Sequence, residues 1–169
     1  MNNLYNNLEN YNENLTLHHD RIFYNPISSI NQFVFCNSFL EGYHCVPIIQ
    51  TESNGIFTLI LDNERGGFKY QLYVRKLIGF KSLNIFKLNK NLEIEDILFK
   101  IESMSNYENT KITGIIVEGF IFINHCIQKI SIEEFYNLIM NHLIFISVET
   151  YQEPNGIICG SLKSISLNL

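Results

Sequence analysis

Phe68-Lys69-Tyr70-Gln71-Leu72-Tyr73-Val74-Arg75 alternates apolar and polar positions from end to end. Successive side chains of a strand point to opposite faces, so Phe68, Tyr70, Leu72 and Val74 share one face, with Lys69, Gln71 and Tyr73 on the other. A helix would smear the apolar set around its axis. The stretch therefore reads as a β-strand with one face on a core and one in water, the pattern of an antiparallel sheet.

Its neighbours extend that reading. Asp62-Asn63-Glu64-Arg65-Gly66-Gly67 is a turn, preceded by a strand at Ile56-Phe57-Thr58-Leu59-Ile60-Leu61. Asn54-Gly55 has the residues of a type I′ hairpin turn, with Val46-Pro47-Ile48-Ile49-Gln50 as the strand before it. Ser82 to Leu88 follows as a fourth strand of the meander. Asn91 then stands as an N-cap for a helix to Met104, with Ile94, Ile97, Leu98 and Ile101 as its stripe. Thr110 to Ile127 is apolar on both faces, which predicts a buried central strand, or two strands broken at Glu118-Gly119. Ser131-x-x-Glu134 is a capping-box signature ahead of Ile132, Phe135, Tyr136, Ile139 and Leu143 at helical spacing. Phe145 to Tyr151 and Ile157 to Ser161 form a further hairpin around Pro154-Asn155-Gly156.

Toward the N-terminus, Pro26 opens a helix through Ile27, Ile30, Phe33, Val34 and Phe35, with a strand over Gln32 to Cys36 as the alternative. Leu4, Leu8, Tyr11 and Leu15 predict a short helix in an Asn-rich arm. The domain plan is that arm over residues 1–20 and a single domain over residues 21–169. The expected class is α+β: a mostly antiparallel sheet, built as a meander of hairpins, packed with two to three helices.

Composition narrows the function classes. Twenty-two Asn and twenty-six Ile stand beside nine Lys and three Arg, with a formal charge of -5. A/T-rich codons raise Asn, Ile and Lys together, so a low Lys count beside high Asn and Ile points to a basic partner. Only 17% of residues are charged, below the roughly 25% usual for such domains, and that low charge density also favours self-association. Nucleic-acid binding is disfavoured, because the basic residues are scattered and the closest grouping, Lys69, Arg75, Lys76, Lys81, Lys87 and Lys90, is diluted over the meander. Met1 to Asn7 lack the pattern of an export signal and no apolar run is long enough to span a bilayer, so a cytoplasmic protein with no membrane partner is expected. In that compartment Cys36, Cys45, Cys126 and Cys159 are expected to be free, mostly buried thiols.

Chemistry-bearing clusters are few. His44-Cys45 and His125-Cys126 hold soft ligands, but their spacing is not that of a zinc site, and neither a metal nor a cofactor is expected. A thiol nucleophile at Cys45, Cys126 or Cys159, paired with His44, His125 or His142, needs a lowered pKa, and Cys159 has no nearby base in sequence; core thiols are the expectation. His18-His19-Asp20 reads as a solvated linker. Asp62, Glu64 and Arg65 with Gly66-Gly67 lack the strand-to-helix setting of a phosphate loop.

The leading expectation is a non-enzymatic inhibitory protein that covers a partner's surface, in the manner of immunity proteins or viral anti-defence proteins. An acidic face would steer it to a basic toxin or defence component. The candidate partner-binding residues are Glu52, Asp62, Glu64, Glu93, Glu95 and Asp96. A small enzyme or ligand-binding domain using Cys and His groups in a pocket is the alternative, and a structural subunit of a larger assembly is the third reading.

Overall fold

Alternation wins over helical spacing almost everywhere in the computed structural model, which describes residues 33–104 and 107–165. Nine strands follow one another among the described residues: β1 Phe33–Glu41, β2 Asn54–Asp62, β3 Gly67–Ile78, β4 Phe80–Leu88, β5 Ile94–Glu102, β6 Lys111–Phe122, β7 Ile144–Thr150, β8 Ile158–Ser161 and β9 Lys163–Ser164. The one α-helix among the described residues, α1, spans Ile132–Met140. Every strand pair is antiparallel, in the order β5-β4-β7-β8-β1-β2-β3-β6, with β9 continuing β8 along β1. The sheet curls into a half-barrel rather than packing against two to three helices, which corrects the expected class.

The core fills the concave side. Phe68, Leu72 and Val74 of β3 are fully buried, as are Leu59 and Leu61 of β2, Leu83 and Ile85 of β4, and Ile146 and Val148 of β7. α1 sits in the curl. Its N-cap is the one the sequence marks, with Glu134 N–H donating to Ser131 Oγ at 3.0 Å. Its Phe135 stacks on Phe68 at 5.3 Å and meets Phe99 of β5 edge-on at 5.7 Å. Phe68 and Phe99 stand 5.1 Å apart although β3 and β5 lie near opposite ends of the strand order. The curl therefore brings the two flanks of the sheet together around one aromatic cluster, and burying such rings is a large stabilising term.

The β3 alternation, the 62–67 turn, β4, the capped helix and the final hairpin match the sequence reading. Other elements differ for identifiable reasons. The helix expected from Asn91 to Met104 is β5. Two register shifts against β4 insert an extra residue into β5 each time, so its apolar residues fall at three- and four-residue spacings that imitate a helix. Asn89, not Asn91, organises the turn before it: its Oδ1 accepts from Asn91 N–H at 2.8 Å and Glu93 N–H at 3.1 Å. Residues 46–50 form no strand, and Asn54-Gly55 opens β2 instead of turning a hairpin. Gly55 serves close packing there, because a Cβ would lie 2.8 Å from Tyr73 O. The helix expected to run from Pro26 through Phe35 gives way to β1 over its last residues; its earlier part and the 1–20 arm lie outside the described residues.

The meander also breaks. Gly79, at φ +73, turns the chain out of β3, and β4 pairs with β5 and β7 rather than with β3. Thr110 to Ile127 yields one strand, β6, continuous across Glu118-Gly119 and lying at an edge of the sheet, not its centre. Finally, the cysteines are not all free. Cys45 and Cys159 form a disulfide across 114 residues, while Cys36 and Cys126 are free and buried.

Candidate protein-interaction surface

The register of β1, β2, β3 and β6 sets side chains of the convex face in rows across four strands. Phe39 lies opposite Ile56, Ile56 opposite Tyr73, and Tyr73 opposite Ile115. All four are exposed, by 61%, 39%, 42% and 56% respectively. Cross-strand neighbours of this kind touch one another, so the four side chains form one continuous apolar stripe in water. Contiguous exposed apolar surface of that sort marks interaction sites in folded proteins, whereas single exposed hydrophobics do not.

Polar rows flank the stripe. On one side run Asn37, Thr58, Gln71 and Glu118, where Gln71 Nε2 donates to Glu118 Oε2 at 2.9 Å and Thr58 Oγ1 to the Gln71 carbonyl at 3.4 Å. Beyond it lie Phe35, Ile60, Lys69 and Phe120, and the Arg65 guanidinium sits 4.0 Å from the centre of the Phe120 ring. On the other side are Glu41, Asn54 and Arg75. An apolar centre with a hydrogen-bonded polar rim is the anatomy of a protein interface.

The chain leaving β1 adds to this end of the sheet. A 3-10 turn at Gly42–His44 and the loop after it expose Tyr43, Val46 and Ile48. The loop is fastened at its base by the Cys45–Cys159 bond, by Ile49 N–H donating to the Gly42 carbonyl at 3.0 Å, and by a 3.2 Å contact of His44 Nδ1 with the Cys159 carbonyl. A hydrogen bond with Glu41 raises the Tyr43 phenol above its ordinary pKa.

The acidic residues are dispersed. Glu52 lies at the end of the sheet where β1 finishes and pairs with Lys76 at 2.8 Å, a hydrogen bond that holds its carboxyl below the ordinary value. The other five gather toward the opposite end, on two separate elements. Asp62 is buried and accepts from Arg65 N–H at 3.0 Å, and Glu64 stands exposed in the same turn. Glu93 accepts from Asn89 Nδ2 at 3.0 Å, and Glu95 pairs with Lys87 at 3.1 Å, which raises the lysine's pKa. Asp96 lies opposite Lys87 in the ladder. Most of the six carboxylates are thus engaged locally.

Both His-Cys pairs occupy the same local setting, the end of a 3-10 turn, but at opposite ends of the sheet: His44-Cys45 after β1 and His125-Cys126 after β6. They do not converge, and no group of three or more metal-ligating side chains occurs among the described residues. The Cys45 and Cys159 sulfurs are bonded to each other, and burial pushes the Cys36 thiol up to about 12, far from a reactive thiolate. A separate polar cluster lies between β4 and β7, where the Glu149 carboxylate accepts from Ser82 Oγ and Asn84 Nδ2, each at 2.7 Å.

Sequence reasoning missed the stripe. Its signal was the two-faced hydrophobicity of Thr110 to Ile127, which reads as burial on both sides. One face of β6 is instead turned to solvent. No helix among the described residues is long and apolar enough to cross a membrane. No family model, curated protein or solved structure matches the chain.

Proposed function

We propose that the protein is a non-catalytic binding protein that covers a partner protein with the convex face of β1, β2, β3 and β6. The observation that carries this reading is the in-register quartet of Phe39, Ile56, Tyr73 and Ile115, apolar and exposed together. Two aromatic members suit it as an anchor, since aromatic side chains dominate binding energy at interfaces. The net charge of -5 favours a basic partner and would speed its approach. An inhibitor of a toxin or of a defence component, acting by occlusion, fits both features. The pocket-enzyme alternative loses its nucleophiles at Cys45 and Cys159, which are bonded to each other.

Compartment is part of the proposal. A cytoplasmic setting is the expectation from sequence, whereas the Cys45–Cys159 bond favours an oxidising one. Acid quenching of source cells followed by thiol alkylation separates the two, because a cytoplasmic pool would carry alkylated Cys45.

Affinity capture from the source cells tests the main reading. Wild-type protein should retain one partner in stoichiometric amount, and the Tyr73→Lys/Ile115→Lys variant should lose it while keeping its fold. Equal capture by both proteins, or none by the wild type, would overturn the proposal. A companion variant, Glu93→Gln/Glu95→Gln/Asp96→Asn, reads the acidic contribution as a slower association that salt no longer affects.

A further inference from the structure

The edge strand β6 is built unlike the others. Among the described residues it is the one long strand with no buried residue, although its positions opposite the buried Leu77, Leu72 and Phe68 carry Ile112, Val117 and Ile121. Its outer edge pairs with no strand among the described residues, whereas the other flank of the sheet, β5, has its Leu98 carbonyl occupied by Ile127 N–H at 2.9 Å. Along its twelve residues the backbone donors and acceptors of β6 therefore alternate between β3 and an edge that no described strand covers. Such an edge is a template for another strand unless proline, inward charge, a bulge or a covering element blocks it; β6 carries one bulge, at Ile116, which the pairing below accommodates. β6 has no proline, and its two charges, Lys111 and Glu118, are both exposed on the outward face.

We propose that β6 pairs antiparallel with β6 of a second copy of this chain, forming one continuous sheet across a two-fold axis. Charge selects this occupant. Lys111 stands at one end of the strand and Glu118 toward the other, so the strand is electrostatically complementary to itself when reversed and repulsive when parallel. With the axis between Thr113 and Ile115, the exposed positions Lys111, Thr113, Ile115 and Glu118 meet their counterparts in reverse order, Lys111 against Glu118 and Thr113 against Ile115. The extra residue at Ile116, where the register with β3 shifts, is what puts Ile115 and Glu118 three apart yet on one face. Pairing also covers the half-exposed inward residues and keeps both convex faces on the same side of the enlarged sheet. Two apolar quartets then lie in one surface, which would make the binding face proposed above bivalent. That consequence rests on the binding reading; the pairing itself does not, and it is measured without any partner.

Sedimentation equilibrium of the purified 169-residue chain, from low to high micromolar concentration, tests it. The wild type should reach twice the chain mass of 19.7 kDa. Lys111→Glu and Glu118→Lys should each weaken the dimer by roughly tenfold or more, since two symmetry-related contacts change sign together. An equimolar mixture of the two variants should regain the dimer. One variant then brings acid at both positions and the other base at both, so every cross-strand pair joins opposite charges. This recovery also shows that both variants are folded. A wild type that stays at the single-chain mass would overturn the proposal. So would a dimer that neither variant weakens, or a mixture no tighter than its components.

Discussion

Cys45, in the loop after β1, is bonded to Cys159 of β8, closing a span of 114 residues. A bond closing so long a loop restricts the unfolded chain far more than the folded one and stabilises the fold by about 2–4 kcal/mol. The double variant Cys45→Ser/Cys159→Ser should lose that amount in urea unfolding. Reductant should shift the wild-type midpoint and leave the variant's unchanged. Equal midpoints for wild type and variant would show that the bond is idle.

Phe135 is the inward residue of α1 that holds Phe68 and Phe99 together. Phe135→Ala should cost about 3–5 kcal/mol, the range for removing a buried ring. Ser131→Ala, which removes only the cap, should cost about 1 kcal/mol. The order of the two losses is the test: a cap variant as damaging as the ring variant would mean that α1 is held by its end and not by its face.

The Cys36 thiol, ordinarily titrating at 9.0, is pushed up to about 12 by burial. Between those values the unfolded chain loses a proton that the folded chain keeps. Stability from this group is therefore full below pH 9.0 and falls as the pH rises toward about 12. Replacing it by Cys36→Val should flatten the alkaline part of the stability profile. Native wild-type protein should also resist thiol reagents at this position until unfolded. Rapid native labelling of Cys36 would contradict both expectations.

Glu149 accepts hydrogen bonds from Ser82 and Asn84, whose side chains are buried. Glu149→Ala should cost about 1–3 kcal/mol for each donor left without an acceptor. Glu149→Gln, which keeps one carbonyl oxygen, should cost less. Equal stability of the wild type and the alanine variant would show that solvent replaces the carboxylate freely.

Much of the sheet was legible where alternation was unbroken. Phe68 to Val74 declared its core face outright, and Ser131-x-x-Glu134 located α1 because a cap acts through neighbours in sequence. Bulges hid the rest. The two extra residues in β5 slip the alternation of Ile94 to Ile101 into apparent helical spacing, and the shift at Ile116 spreads the apolar residues of β6 over both faces. Pairing order was not readable either, because Gly79 sends β4 away from β3 through a contact with Thr110, far along the chain. The binding stripe joins residues from four strands, so no local window contains it. The Cys45–Cys159 bond is equally non-local. Only the acidic residues stood out in sequence; the fold sets Glu52 at one end of the sheet and the other five toward the opposite end on two separate elements, most of them engaged locally.

The central claim is that the convex quartet meets another protein. Photo-crosslinking in the source cells addresses it most directly, with p-benzoylphenylalanine placed at Phe39 or Tyr73 and, as a control, at Lys100 on β5. The expected result is a discrete adduct with the same protein from both quartet positions and none from Lys100. Absence of any adduct from Phe39 and Tyr73, or an identical adduct pattern from Lys100, would contradict it.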